Sequence, residues 1–145
     1  MIERHLAGHR LPCACSVVRR TGRALTRRYD ELLAPSGLRV TQYAVLATLA
    51  RHGPIGMSHL AEDLATDRTT LTRALAPLQR DGLIQVALGQ DRRTRVVDLT
   101  TAGEAALERA RPLWLDAQDQ LATIVGPDRL AALVGELAAV ESLLR

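Results

Sequence analysis

The feature that most constrains this chain is a change of hydrophobic period within one stretch, Met57 to Gly103. Leu60, Ala61, Leu64 and Ala65 fall together on one face of a short helix. A polar turn follows at Thr66 and Asp67, and either side chain has an oxygen for the free N–H groups of a second helix. That helix places Leu71, Ala74, Leu75 and Leu78 on a buried stripe and Arg68, Thr69, Thr70, Thr72 and Arg73 on its other face. Gly82 stops it. Two strand-like runs, Leu83 to Leu88 and Thr94 to Leu99, then flank the turn Gly89-Gln90-Asp91-Arg92-Arg93. Helix, turn, helix and an arginine-tipped hairpin predict a mainly α fold, a winged helix-turn-helix with a two-stranded β-wing.

Composition narrows the core. The chain has 145 residues, enough for one domain, and is 47% hydrophobic, yet its only aromatics are Tyr29, Tyr43 and Trp114. A core of Leu, Ala and Val suits packed helices better than a large sheet. All basic side chains are arginines, with forks that grip phosphate oxygens bidentately. Residues 1–100 carry 15 arginines against 9 acids, and residues 101–145 carry 4 against 7. The positive part is the part that contains the helix-turn-helix pattern, which points to nucleic acid. No apolar run reaches the length of a membrane span, and the opening Met1 to His5 lacks a signal-peptide apolar region. A soluble, cytoplasmic protein is expected.

The flanking segments read as helices. After Pro12 a helix is predicted from Cys13 to about Ala34, with Val18, Thr21, Leu25, Tyr29 and Leu32 on one face. Arg19, Arg20, Arg23, Arg27 and Arg28 occupy much of the remainder, a face that is either solvated or close to DNA. Ala34-Pro35-Ser36-Gly37 ends this helix, and Thr41 is the expected cap of the next, which buries Val45, Leu46, Leu49 and Ala50. Ile55 and Gly56 have the place of a short third strand beside the wing. Beyond it, Thr100 or Thr101 caps a long helix with the stripe Leu107, Ala110, Leu113, Trp114, Ala117, Leu121 and Ile124. Pro112 falls inside that helix and is expected to bend it, and Pro77 falls late in the recognition helix. Past Gly126-Pro127-Asp128, Leu130, Leu133, Val134, Leu137, Val140 and Leu144 form a last stripe that needs a partner. The organisation expected is one domain, residues 1–145: a winged lobe at about 37–100, and dimerisation helices at about 13–34 and 101–145.

Base edges are read by side chains on the exposed face of a helix in the major groove. Thr69, Thr70, Thr72 and Arg73 meet that geometry. Arg73 has the reach to hold guanine through O6 and N7, and the threonine methyls suit thymine. Arg68 is better placed for phosphate. In the wing, Arg93 is the residue expected in the minor groove, and Asp91 either holds its guanidinium or braces the turn. Arg92 and Arg95 add contacts that position without specifying sequence. A dimer of such units reads an inverted repeat on double-stranded DNA, with half-sites about one helical turn apart.

Particular residues carry a family likeness. Asp91-x-Arg93, five further residues to Leu99-Thr100, and then Gly103 resemble the wing signature of the multiple-antibiotic-resistance regulator (MarR) family. Leu60-Ala61 and the run from Asp67 to Arg73 match that family as well. The resemblance spans nearly the whole chain and implies a homodimeric transcriptional regulator, a repressor released by a small molecule or by thiol oxidation. It also implies an effector pocket where dimer helices meet the winged lobe, near Tyr43, His52 or Trp114. Cys15, with Thr26-Arg27 and Tyr29 downstream, resembles the opening of the organic-hydroperoxide-sensing subgroup (OhrR), in which such a cysteine is oxidised. The subgroup's other tyrosines fall at Arg19 and Val40 here, and its Ser-Gly before Thr-Leu-Thr is Arg68-Thr69.

Cys13 and Cys15 are the only thiols, and two residues apart on a helix they point in different directions. They read as small packing residues or as a redox pair. His5, His9 and Cys13 recur at four-residue steps, the spacing of a soft-metal site with Cys15, but Pro12 breaks the helix that would align them; no metal or other cofactor is expected. No catalytic constellation is present: no paired carboxylates, no phosphate-binding loop, no dinucleotide glycine pattern, no Ser-His-Asp grouping. The chain is not expected to be an enzyme. The competing reading is a thiol redox or metal-binding protein whose winged fold serves protein contacts.

Overall fold

The computed structural model describes residues 12–144. Its elements are α1 (Ala14–Leu33), a 3-10 turn (Ala34–Ser36), α2 (Val40–His52), β1 (Ile55–Gly56), α3 (Met57–Asp63), α4 (Arg68–Arg80), β2 (Ile84–Leu88), β3 (Arg95–Leu99), α5 (Thr101–Val125) and α6 (Pro127–Leu144). The sheet is antiparallel with strand order β1-β3-β2. The wing hairpin pairs Val86 with Val97, and Ile55 pairs with Val97 from the other side, so the short third strand is present. Among the described residues no helix is long and apolar enough to cross a membrane.

The core gathers around α2. Tyr43, Val45, Leu46, Thr48 and Leu49 are all buried on this one helix, which meets α1, α4, α5 and β3. Leu33 from α1, Leu60 from α3, Leu71 and Leu78 from α4, and Val97 from β3 close around it. Ala106, Leu107 and Ala110 bring α5 onto the same cluster, and small alanines allow that long helix a close approach.

Several expectations change in detail. Ala65 lies beyond α3 in the left-handed region (φ 49°) and is exposed, because Thr66 N–H folds back to the Ala61 carbonyl and closes the helix there. Ala74 is exposed, not core; Leu71, Leu75 and Leu78 alone fill the α4 stripe. Ala50 is exposed as well, turned away from the α2 cluster. Thr41 does not cap α2. Arg39 holds that position in extended backbone, its N–H donating to Gln42 Oε1 (3.0 Å), while Val40 N–H donates to Asp30 Oδ1 (2.8 Å). A carboxylate reaching over from α1 does there what a threonine hydroxyl does elsewhere. Both α4 and α5 run on through their prolines, Pro77 and Pro112.

The outer helices are only partly covered. Val18 and Thr21 are exposed on α1 while Leu25, Tyr29 and Leu32 are half-buried; on α5, Ile124 is exposed. In α6 no residue is buried, and Leu133, Val134, Leu137, Val140, Leu143 and Leu144 all face outward.

Thr100 joins the wing to α5. Its side chain accepts from Gly103 N–H (3.0 Å) as the cap of α5, and its hydroxyl donates to the Gly82 carbonyl (2.6 Å). Its own N–H donates to the Leu83 carbonyl (3.2 Å). Gly82 has φ 72°, the left-handed geometry that turns the chain out of α4 toward the wing. Gly103 is buried against that strand: a Cβ there would overlap the Leu83 carbonyl oxygen and press on the Leu99 side chain. Gly103→Ala is therefore expected to destabilise the fold by about 1–3 kcal/mol, read as a lowered urea midpoint. An unchanged midpoint would show that the junction yields.

Candidate nucleic-acid interface

The α3–α4 turn is built to present the start of α4. Asp67 is its N-cap, accepting Thr70 N–H at 2.8 Å and the Thr70 hydroxyl at 2.6 Å. The Thr70 hydroxyl and then its N–H hold the Asp67 carboxyl below the usual carboxylate range. A lowered folded value means that the cap is at full strength above the ordinary carboxylate pKa, and weakens as pH falls through the lowered one.

Capping also sorts the side chains on the exposed face. The Thr70 hydroxyl is committed to Asp67, and the Thr72 hydroxyl donates to the Arg68 carbonyl (2.7 Å). Both threonines thus have their polar atoms tied to their own helix. Thr69, Arg68 and Arg73 are exposed, and among the described residues none has a side-chain hydrogen bond or ion pair within the chain. Their donors are free for a ligand.

In the wing, Asp91 braces the turn. Its Oδ1 accepts Arg93 N–H (3.0 Å), and its carbonyl accepts both Thr94 N–H (2.8 Å) and the Thr94 hydroxyl (2.7 Å). Gly89 N–H closes the hairpin on the Thr94 carbonyl (3.0 Å). Asp91 makes no ion pair with the Arg93 guanidinium, so Arg92, Arg93 and Arg95 all stand exposed and without a carboxylate partner among the described residues. On α4 and the wing together, Arg68, Arg73, Arg92, Arg93 and Arg95 outnumber the two aspartates that brace them, Asp67 and Asp91.

Two residues beside α4 went unnoticed in the sequence. Arg39 and Gln42, at the start of α2, share a crevice of about 290 Å³ with Ala74 and Pro77 of α4. The signal was present as Arg39 and Gln42 three residues apart, the spacing of a cap and its reciprocal glutamine.

The remaining candidates are dispersed. Tyr43 and Trp114 stack, with ring centroids 5.5 Å apart and planes at 16°. His52 stands away from them, its Nε2 2.7 Å from Asp63 Oδ2 across the α2–α3 junction. Tyr43 borders a cavity of about 260 Å³ whose charged walls are Arg51 and Arg111; burial pushes its hydroxyl pKa up, opposed by Arg111. Cys13 and Cys15 are exposed at the start of α1. Cys13 sits at the N-cap, where Ser16 N–H and then its hydroxyl hold the thiol below its usual range. Tyr29 is fourteen residues from Cys15, about 21 Å along the helix at ~1.5 Å per residue, and its hydroxyl donates to Gln118 of α5. His5 and His9 lie outside the described residues. Among the described residues no group of three or more His, Cys, Asp or Glu is placed to hold a metal ion.

Comparison with known proteins agrees with this geometry. The family model described as the MarR family matches residues 38–94, the lobe from α2 to the wing tip. The M. tuberculosis transcriptional regulator MosR, solved in complex with DNA, superposes with a TM-score of 0.81 at 40% identity, over 92% of this chain and 99% of that one. A mutant of E. coli MarR, complexed with operator DNA, gives a TM-score of 0.78 at 27% identity, over 86% of this chain and 91% of that one. The organic hydroperoxide resistance transcriptional regulator of Bacillus subtilis is 29% identical over 97 residues, 66% of each chain. A regulator that shares two residues in five over essentially its whole length, and the same winged architecture, leaves one assignment: the chain belongs to the MarR family of DNA-binding transcriptional regulators.

Proposed function

We propose that this regulator acts as a homodimeric repressor, with α4 in successive major grooves of an inverted-repeat operator and the wing tips on the flanking minor grooves. The observation that carries the reading is the pairing of an unpartnered face on α4 (Arg68, Thr69, Arg73) with an unpartnered arginine wing (Arg92, Arg93, Arg95). Arg73 reads a base edge; Arg68 and Arg92 hold phosphate; Arg93 enters the minor groove, and Arg95 adds charge behind it. Thr70 and Thr72 offer methyl groups, since their hydroxyls are engaged. Arg73→Ala is expected to cost about 1–3 kcal/mol on the operator and to relax preference at one base pair. Arg92→Ala is expected to weaken operator and random duplex alike and to flatten the salt dependence. Equal loss of specificity from the two substitutions in a gel-shift titration would refute this division.

The two-chain assembly rests on the uncovered stripe of α6 and on the exposed ends of the apolar stripes of α1 and α5, Val18, Thr21 and Ile124. An isolated amphipathic helix with no buried face is poorly stabilised, so a second copy covers it. Leu137→Glu places an unpaired carboxylate in that seam and is expected to shift the protein to monomer in sedimentation or light scattering. A dimer mass unaltered by Leu137→Glu would place the seam elsewhere.

Release from DNA works through the spacing of the two recognition helices. Oxidation at the start of α1 is the favoured trigger, because both thiols are exposed and Cys13 is held toward thiolate by Ser16. The thiolate attacks a peroxide oxygen, giving a sulfenic acid and releasing the alcohol or water. Tyr29 reaches Cys15 only from a partner chain, given its distance along α1. Peroxide is expected to abolish operator binding and dithiothreitol to restore it, with Cys13→Ser and Cys15→Ser each showing which sulfur is needed. Operator binding indifferent to peroxide would return the trigger to a small molecule at the cavity beside Tyr43.

A further inference from the structure

The arginine face of α1 is not used by any contact described so far. Arg19, Arg23 and Arg27 recur at four-residue steps and stand in one row, spanning about 12 Å at ~1.5 Å per residue. All three are exposed, and none has an ion pair or side-chain hydrogen bond among the described residues. The acids beside them are already engaged: Asp30 caps Val40 and lies 3.7 Å from Arg39, and Glu31 faces Arg28 at 3.8 Å. Arg28 itself is turned to Gln120 of α5. The row therefore holds three guanidinium groups without an ion pair of their own among the described residues, and with Arg39 they outnumber the two carboxylates, Asp30 and Glu31, that line the same concavity.

The row borders an open concavity of about 990 Å³ whose far rim is the α1–α2 connection with Gly37 and Arg39. Gly22 lies in the floor, in the middle of a helix, with nothing within 4 Å of where a Cβ would be. No packing within the chain explains a residue so unfavourable to a helix. Arg39 belongs to both surroundings: it is on the rim of the concavity and also in the crevice against Ala74 and Pro77 of α4. Arg39 thus links the flank of α4 to the concavity beside α1.

We propose that the Arg19–Arg23–Arg27 row is a second DNA contact, a non-specific track for the phosphates of duplex flanking the operator. The proposal rests on the DNA-binding reading and extends it outward. The partner chemistry follows from the spacing. One strand of duplex presents a phosphate about every 3.4 Å of axis, so a row of about 12 Å meets roughly three. Bidentate forks at helical steps suit such a row, and no base-reading group stands among them.

The test uses the full chain and an operator isolated by selection from a random-sequence duplex library. Affinity and salt dependence are measured on that core duplex and on the same duplex extended by about ten base pairs, one helical turn, at each end. Wild type is expected to bind the extended duplex several-fold tighter. The triple substitution Arg19→Ala, Arg23→Ala, Arg27→Ala is expected to erase that gain while leaving core affinity unchanged, and to lower the salt slope by about two to three per engaged protomer. The matching triple change to Lys keeps the charge and is expected to retain most of the gain. The proposal is overturned if wild type gains nothing from the flanks, if the alanine variant keeps the whole gain, or if it loses core and extended binding equally. That last result would assign the row to folding or assembly. Failure of selection to enrich any duplex would instead strike the DNA-binding reading itself.

Discussion

Everything in this fold leans on the burial of α2. With no Phe and only three aromatic residues, the chain has little bulky side-chain volume with which to span gaps. It compensates by putting one helix at the centre and closing leucines around it: Leu46 and Leu49 meet Leu33, Leu60, Leu71 and Leu78 at essentially zero exposure. Each such side chain is worth about 1.5–3 kcal/mol of transfer free energy. The placement of α4 follows, because its Leu71, Leu75 and Leu78 must face α2, which leaves Thr69 and Arg73 on the opposite side and Arg68 exposed at the first turn. The outward face of the recognition helix is a consequence of its inward one.

Rigidity at the reading surface comes from short polar closures instead of further packing. Asp67 ties the first turn of α4, Asp91 ties the wing tip, and Thr100 ties the wing's base to α5 and to Gly82. Each consumes hydrogen-bonding capacity that an interface would otherwise use, and each leaves the neighbouring guanidinium groups free. Small residues thus do the holding, and the arginines are left without a partner among the described residues. That division explains why the aspartates of the motif stand beside its arginines without pairing with them.

The two halves of the molecule differ in how far a single chain can satisfy them. The winged lobe gathers most of its apolar residues into one core, Leu88 of the wing apart, whereas α6 has no fully buried residue. The proposed dimer would place its contacts on helices continuous with the winged lobe, and so couple α1 to the spacing of two α4 helices. Cys13 and Cys15 occupy the start of α1, and Leu33 at its other end enters the α2 core. α1 thus joins the cysteines to the cluster in which α4 is seated.

What could be read from the amino-acid order was whatever depends on local period and local chemistry. Helical spacing located all six helices, alternation and turn residues located the wing, and the run from Asp91 to Gly103 carried the family likeness. The cap of α4 was legible to within Thr66 or Asp67 because a cap acts on its own helix three residues away, and the structure selects Asp67. What depended on meeting a distant segment was not legible. Asp30 capping α2, Gln118 taking the Tyr29 hydroxyl, and His52 turning to Asp63 instead of the Tyr43–Trp114 stack are contacts between elements. Ala74 sits at helical spacing with the core leucines yet is exposed, because period sets a face only to within its margins and packing decides where the boundary falls. Gly103 was visible as a motif residue, but its reason, the Leu83 carbonyl directly over it, appears only when β2 and α5 are brought together.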